Sequence, residues 1–336
     1  MSVKKDERMI EEEAPQARGK MSNLSFKALD RFITFGAVIV LFIFFSIVAP
    51  NFFTVRSILS LALQTSAVTM MGIGVTFTII TGGVDLSIGS IVALSGTIAV
   101  MVARAGVPIW LSMIIGLLVG VVSGLLNGLM ITKTKLPPFI ATLGMMMVAR
   151  GVALTITNAN AWPAPEGFGN LGNGTIFGTG AKFPGIPYPV IIMVAVALIF
   201  SFFLGKTRPG RYTYAVGSNE EAARLSGIKV NQVKTIAYII SGLLAALVGI
   251  ILASRMVTSQ PNSAISYEMN AIAAAVIGGT SMMGGVGTVL GTVIGSFIIG
   301  ILTVGLTMSG ANYFMQQIVI GLVVIGSVMI DKFRSK

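Results

Sequence analysis

The chain alternates long apolar runs with short polar breaks. The runs fall at 32–49, 57–80, 87–103, 109–131, 138–157, 188–204, 235–254, 269–283, 286–308 and 313–330. At about 1.5 Å per helical residue, about twenty residues cross a hydrocarbon core about 30 Å thick. The pattern predicts an all-α polytopic membrane protein in the lipid bilayer, with about ten transmembrane helices over residues 32–330. Residues 1–31 form a charged tail that reads as disordered and cytoplasmic. No small-residue cleavage site follows the first run, so no cleavable signal peptide is expected. Residues 331–336 are a short charged end.

The longest basic break, 205–234, carries Lys206, Arg208, Arg211, Arg224, Lys229 and Lys234. A short helix is expected at its centre, from Ser218 through Asn219, Glu220, Glu221, Ala222, Ala223, Arg224, Leu225 and Ser226 to Gly227. Ser218 and Glu221 have the spacing of a capping box, the acids suit the positive end of the helix dipole, and Gly227 supplies a left-handed stop. Helices this short are marginal in water. The apolar side made by Ala222, Leu225 and Ile228 therefore needs a surface, either on its own protein or on a cytoplasmic partner.

Charge orients the runs. Eighteen of the twenty-three Lys and Arg lie in the tail, at Lys133 and Lys135, in the 205–234 loop and at the C-terminus, which places both termini and that loop in the cytoplasm. Outside fall Arg56, Arg104, Lys182 and Arg255, with Arg150 near the outer end of the fifth run and Glu166 and Glu268 as the outer acids. Arg56 and Arg255 are candidates to dock an external protein electrostatically or to anchor helix ends at the headgroups. The formal net charge of +11 follows from this topology, and no nucleic-acid partner is expected.

Composition removes other chemistries. The chain is 54% hydrophobic and 10% charged, against about 25% charged in soluble domains. Cys and His are absent, so no metal site, disulfide or thiol chemistry is expected, nor any cofactor. No GxxxxGK[ST] loop and no nucleophile–base pair occurs, which argues against an enzyme.

Glycine accounts for 40 of 336 residues. Gly116, Gly120, Gly124 and Gly128 recur every four residues in the fourth run, and Gly287, Gly291 and Gly295 in the ninth. Both stripes read as close helix packing inside one subunit, with a dimer seam as the alternative. Two glycine corners, IITGGVDLSIGSIVALSG and AVIGGTSMMGGVGTVLG, match at one offset that equates Gly82, Gly83 and Gly89 with Gly278, Gly279 and Gly285. They suggest a weak parallel internal repeat of runs one to four on seven to ten. In the first corner, Asp85 reads as a helix cap with Ser87 more than as an ion-coupling group. The outer loop 157–187, with Trp162, Phe168, Phe177 and Phe183, reads as an interfacial aromatic belt or a docking platform.

Three stretches, GGVDLSIGSIVALSG, VGSNEEAARLSGIKV and QPNSAISYEMNAIAAAVIGGTSMMGGVGTVLGTVIGSFIIG, resemble the ribose/xylose/arabinose/galactoside class of bacterial ABC-transporter permeases. The likeness covers about residues 35–330. It implies a bacterial inner-membrane subunit working as a homodimer with a cytoplasmic ABC ATPase and a periplasmic sugar-binding protein. It further implies that 218–227 is the ATPase-coupling helix and that a monosaccharide passes between the two copies. Gln64, Thr65, Thr69, Asn270 and Gln316 are then candidates to line the path, each equally readable as an interhelical hydrogen bond. The alternatives are a secondary, ion-coupled sugar carrier and a non-transporting membrane scaffold.

Overall fold

The breaks supply the residues that start and stop the helices. Thr54 Oγ1 accepts from the Ser57 amide at 3.2 Å and Thr288 Oγ1 from the Gly291 amide at 3.0 Å, while Pro138 and Pro189 sit in the first turns of their helices. The computed structural model describes residues 35–178 and 184–334. Its helices are α1 Phe35–Val48, α2 Val55–Ile80, α3 Ile88–Arg104, α4 Ile109–Lys133, α5 Pro138–Thr157, α6 Asn170–Asn173, α7 Tyr188–Lys206, α8 Arg208–Ser218, α9 Glu220–Leu225, α10 Val230–Met256, α11 Tyr267–Ile277, α12 Val289–Met308 and α13 Tyr313–Arg334. Four two-residue strands pair antiparallel, β1 Trp162–Pro163 with β4 Thr258–Ser259 and β2 Thr175–Ile176 with β3 Ile186–Pro187. The charged tail 1–31 and Phe183 lie outside the described residues.

The protein is a helical membrane protein with little sheet. Six helices, α2, α4, α5, α7, α10 and α12, are long and apolar enough to cross a membrane; α1, α3, α11 and the Tyr313–Gly326 part of α13 are shorter apolar helices. The eighth apolar run differs most from expectation. Its helix stops at Ile277, because Gly278 and Gly279 end it and residues 278–288 continue as irregular chain. Gly287 accordingly lies before α12 rather than in a helical stripe, packed against Ile80 and Thr280.

The core sits between α2 and α10, whose apolar windows are 61% and 72% buried against 22–28% for α4, α5 and α7. α10 packs along α2, α3 and α4, and α2 also carries α7, α11 and α12. Small residues make these crossings possible. A side chain at Gly120 would strike the Gly242 carbonyl, one at Gly124 the backbone of Tyr238 and Ile239, and one at Gly128 the backbone of Thr235. Gly116 meets Ala99, Ser95 and Ile250. Gly291 and Gly295 press in the same way on Gly278 and Ala274, at the end of α11. Every one of these contacts is internal to the subunit, so the stripes bring helices of one chain together.

Replacing Gly120 or Gly291 with Leu is expected to cost at least about 1–3 kcal/mol of stability, since a close-packed backbone has no room to yield. Thermal unfolding in detergent checks this; unchanged midpoints in both variants would contradict the packing.

Candidate functional site

The 205–234 loop holds two helices where the sequence suggests one. Thr207 Oγ1 accepts from the Gly210 amide at 3.2 Å and Pro209 fits the first turn, so α8 starts directly after α7. A Thr with Pro two residues on was the available signal for it. Ser218 belongs to the last turn of α8 and does not cap the next helix. Asn219 does, extended at φ −160° and ψ 106°, with its Oδ1 accepting from the Ala222 amide at 2.9 Å. The expected stop holds: Gly227 has φ +80°.

α9 divides its surface between its own protein and solvent. Ala223 is 4% exposed and clusters with Val216 and Val230, while Leu225 is 85% exposed and Ala222 is bare beside it. Glu220 ties the helix to α10 through Lys234 at 2.6 Å and pairs within α9 with Arg224 at 3.1 Å. The Lys234 hydrogen bond holds the Glu220 carboxyl below the usual carboxylate range. The clasp is therefore closed at neutral pH and is lost only as pH falls through that depressed value.

The mounting of α8 and α9 is the part the sequence did not disclose. α2 and α11 end in the same way. The Gly82 amide donates to Ile79 O and the Gly83 amide to Thr78 O, and the Gly279 amide donates to Val276 O and the Thr280 amide to Ala275 O, all at 2.9 Å. Gly82 at φ +80° and Gly279 at φ +86° take the left-handed positions. The helix ends thus equate Gly82 with Gly279, one residue away from the glycine alignment, which matched identity and not geometry. The two corners touch: the Gly285 amide donates to Ile80 O at 2.9 Å. Gly217, in the last turn of α8, lies against both atoms, leaving no room for a side chain. Tyr214 Oη donates to Gly287 O at 2.7 Å.

Above the first corner, Asp85 is fully enclosed. Its Oδ1 accepts from the Ser87 amide at 3.0 Å and the Ser87 hydroxyl at 2.6 Å, and its Oδ2 from Ser241 Oγ at 2.8 Å. Asn127 Nδ2 donates to Ser87 Oγ at 2.9 Å. Asp85 therefore ties the residue before α3 to α10, whereas the expected cap is absent: Ser87 holds the N-cap position with no side-chain capping bond, because its hydroxyl is turned to Asp85. Asn127 Oδ1 and Tyr238 Oη, at the edges of this cluster, have no hydrogen-bond partner among the described residues.

At the opposite end, the 158–178 loop folds onto α10. Ser254 Oγ accepts from the Gly172 amide at 2.8 Å and donates to Phe168 O at 2.7 Å. Phe168 is a core residue, Trp162 is partly buried under the Arg104 guanidinium at 5.1 Å, and Phe177 is exposed. Arg56 is exposed and Arg255 partly exposed at this same end. Two groups expected there are elsewhere. Arg150 and Glu268 lie deeper and converge on Gly89 at the start of α3: Arg150 Nη2 donates to Gly89 O at 3.4 Å, and a side chain at Gly89 would strike Glu268 Oε2. The reason is that residues 257–266 turn inward and α11 begins below the surface.

The candidate path residues separate. Thr65 faces Gly300 of α12, Thr69 is enclosed, and Gln316 donates to Thr307 Oγ1 and Ala311 O at 3.1 Å. All three are buried, and only Gln316 makes an interhelical hydrogen bond; the Thr65 and Thr69 hydroxyls have no partner among the described residues. Gln64, on Ser60 Oγ at 3.3 Å, is exposed and Asn270 partly so.

Membrane-length helices around a closely packed core, with a short helix that exposes Leu225 mounted at one end, define a membrane-embedded protein. The family model described as the branched-chain amino acid transport system / permease component matches residues 57–328, and the chain belongs to that family. It is 46% identical over 301 residues to the ribose import permease protein RbsC of Bacillus subtilis (strain 168), covering 90% of this chain and 92% of that one. It is 38% identical over 298 residues to the L-arabinose transport system permease protein AraH of Escherichia coli (strain K12), covering 88% and 89%. It is 37% identical over 310 residues to the D-allose transport system permease protein AlsC of the same organism, covering 91% and 93%.

Asp85→Ala should destabilise the protein by about 1–3 kcal/mol, because it strands the Ser87 and Ser241 donors. Asp85→Asn keeps one acceptor oxygen and should retain most of that stability; thermal unfolding of the pair is the measurement, and equal midpoints for Asp85→Ala and wild type would dismiss the tie.

Proposed function

We propose that this chain is the membrane-spanning permease subunit of an ATP-binding-cassette importer that moves a monosaccharide across a bacterial inner membrane. ATP is hydrolysed by a separate cytoplasmic ATPase, and a periplasmic binding protein delivers the sugar. The observation that carries the reading is α9, a capped and clasped helix that leaves Leu225 85% exposed while standing, through Gly217, on both glycine corners. A surface of that kind fits a groove on a partner. The sugar class rests on the relatives, which are named for ribose, arabinose and allose although the family takes its name from branched-chain amino acids.

The finer architecture belongs to the same proposal. Taken as one crossing each, the run 258–266 with α11 and the irregular residues 83–87 with α3 support ten crossings over 32–330. The matching ends of α2 and α11 support a parallel repeat. The basic residues on the α8–α9 side support a cytoplasmic assignment for that end and both termini, with 1–31 as a tail. Two copies form the working unit, and Gln64 and Asn270 are the candidate path residues that present surface to it. Asp85 has both carboxylate oxygens engaged by neighbours, which weakens the ion-coupled carrier alternative.

The direct test is uptake of D-ribose, then other monosaccharides, by proteoliposomes holding the permease with its ATPase and binding protein. ATP-dependent uptake is expected; uptake that needs no ATPase would overturn the reading. Leu225→Asp should leave the permease folded, since Leu225 contacts little of its own chain, and should weaken ATPase association more than about tenfold by burying an unpaired charge. Co-purification of ATPase at wild-type yield would dismiss α9 as the docking element. Changing Arg56 and Arg255 together to Glu should raise the apparent Kd of the binding protein most at low salt. Binding unchanged at low salt would leave these arginines only an anchoring role.

A further inference from the structure

The chain between α10 and α11 runs deep into the body as irregular backbone. Its upper end is held where Thr258 pairs with Pro163, whose carbonyl accepts from Arg104 at 2.8 Å. Its lower end places the Ala264 carbonyl against Gly89. From Arg104 to Gly89, α3 falls by about 22 Å at 1.5 Å per residue. Between these holds the run passes along α3 as turns: the Ser263 amide donates to Gln260 O at 2.9 Å, and Ala264 and Ser266 are left-handed at φ +57° and +65°. Two independent depths agree. Glu268 is about 14 Å along α11 from its end at the glycine corner, and Arg150 about 18 Å along α5 from its start, both close to the middle of a core about 30 Å thick.

Arg150 makes the dip tenable. It donates to Pro261 O at 2.7 Å and Ser263 O at 2.8 Å, carbonyls that lie outside any helix, and to Gly89 O in the first turn of α3 at 3.4 Å. Glu268 is different. It lies within the field of Arg150 without an ion pair at 4.0 Å among the described residues, and its carboxylate accepts from its own amide and that of Ser266, yet it stays partly exposed. Around it, Ile265 is 63% and Met269 59% exposed, Asn262 is exposed and Asn270 partly so. Hydrocarbon does not accept a carboxylate or open backbone at this depth; such groups line a water-filled cavity or meet protein. The face offers a charged acceptor and two amides interspersed with apolar side chains. A monosaccharide has the complementary surface, with hydroxyl donors on its edges, C–H groups on its faces and no charge to neutralise.

We propose that Glu268, flanked by Asn262 and Asn270, is a sugar-contacting station on the translocation path, its carboxylate accepting hydrogen bonds from the ring hydroxyls of a neutral monosaccharide. This rests on the reading of the chain as a sugar permease. The chain has no Cys, so single cysteines report directly on the face. In the assembled transporter in proteoliposomes, Ile265→Cys should react with a charged methanethiosulfonate at least about tenfold faster than Val122→Cys on the apolar face of α4, as thiolate reactions require water. Transport of D-ribose should slow that reaction. Equal rates for the two cysteines would overturn the proposal. Glu268→Ala should reduce D-ribose uptake about tenfold or more, through loss of hydrogen bonds to a charged group, with ATPase stimulation by the binding protein and thermal stability retained. Wild-type uptake in Glu268→Ala would overturn it, and so would equal loss of stability in Glu268→Ala and Glu268→Gln, which would assign Glu268 to capping its own helix. Failure of the permease reading looks different: the wild-type assembly takes up no sugar, while the cysteine rates still report whether the face is wet.

Discussion

The Gly285 amide donates to the Ile80 carbonyl at 2.9 Å, and Gly217 lies flush against both groups. Three segments far apart in sequence meet there with no side chain between them. The contact depends on two helices ending in left-handed glycines, Gly82 and Gly279, so that the chain turns sharply enough for one corner to reach the other. It also fixes the place of α8 and, one residue beyond, the direction of α9. Enlarging Gly217 would force apart α2, α8 and the α11–α12 corner together, because its neighbours are backbone atoms and have no rotamer to change.

The same economy of side-chain volume governs the interior. α10 meets α3 where Gly249 faces the Val92 carbonyl and Gly96 the Gly249 carbonyl, and meets α4 where Gly242 and Gly120 oppose each other. In an apolar solvent, burial of apolar surface does little to drive helices together, so close van der Waals contact and internal hydrogen bonds carry the association. The buried hydroxyls follow that rule. Thr76 and Thr292 pair at 2.6 Å across α2 and α12, and Ser241 reaches Asp85 across α10 and the first corner.

Much of the fold was legible because helix periodicity and helix caps are local. Each apolar run contains a helix, six of them long and apolar enough to cross a membrane, although the eighth is helical only to Ile277; the stop at Gly227 held, and the glycine stripe of α4 faces α10 inside the subunit. What stayed hidden was set by tertiary geometry. A capping box reads Ser218 and Glu221 from spacing alone, but α8 consumes Ser218 and leaves Asn219 to cap. The corner alignment paired identical glycines, while the helix ends pair Gly82 with Gly279. Arg150 and Glu268 were assigned outward because hydropathy counts depth from the ends of runs. It has no means of seeing that 258–266 is non-helical chain that turns inward beside α3. Thr65, Thr69 and Gln316 were polar enough for a path, yet the pattern of their own helices could not say which neighbour they face.

α10 joins the two functional ends as a single helix of 27 residues, about 40 Å long at 1.5 Å per residue. Its first residues carry Lys234 to the α9 clasp, and its last residues lead directly into the dip that Arg150 holds. Between them it is locked to α3 and α4 at glycine contacts and to Asp85 through Ser241. A packed helix of this kind bends little, and glycine seams with no intervening side chain permit no large slip without opening a void. Movement of α9 relative to the body is therefore confined to two places. It is absorbed in the short connection 226–229, or it is carried by the corners and by α10 as a rigid piece. Gly227, left-handed and with open space around it, is the compliant element of the first route. The Glu220–Lys234 clasp spans that connection, so while it is closed the first route is stiffened and any displacement of α9 is shared with the corners and α10.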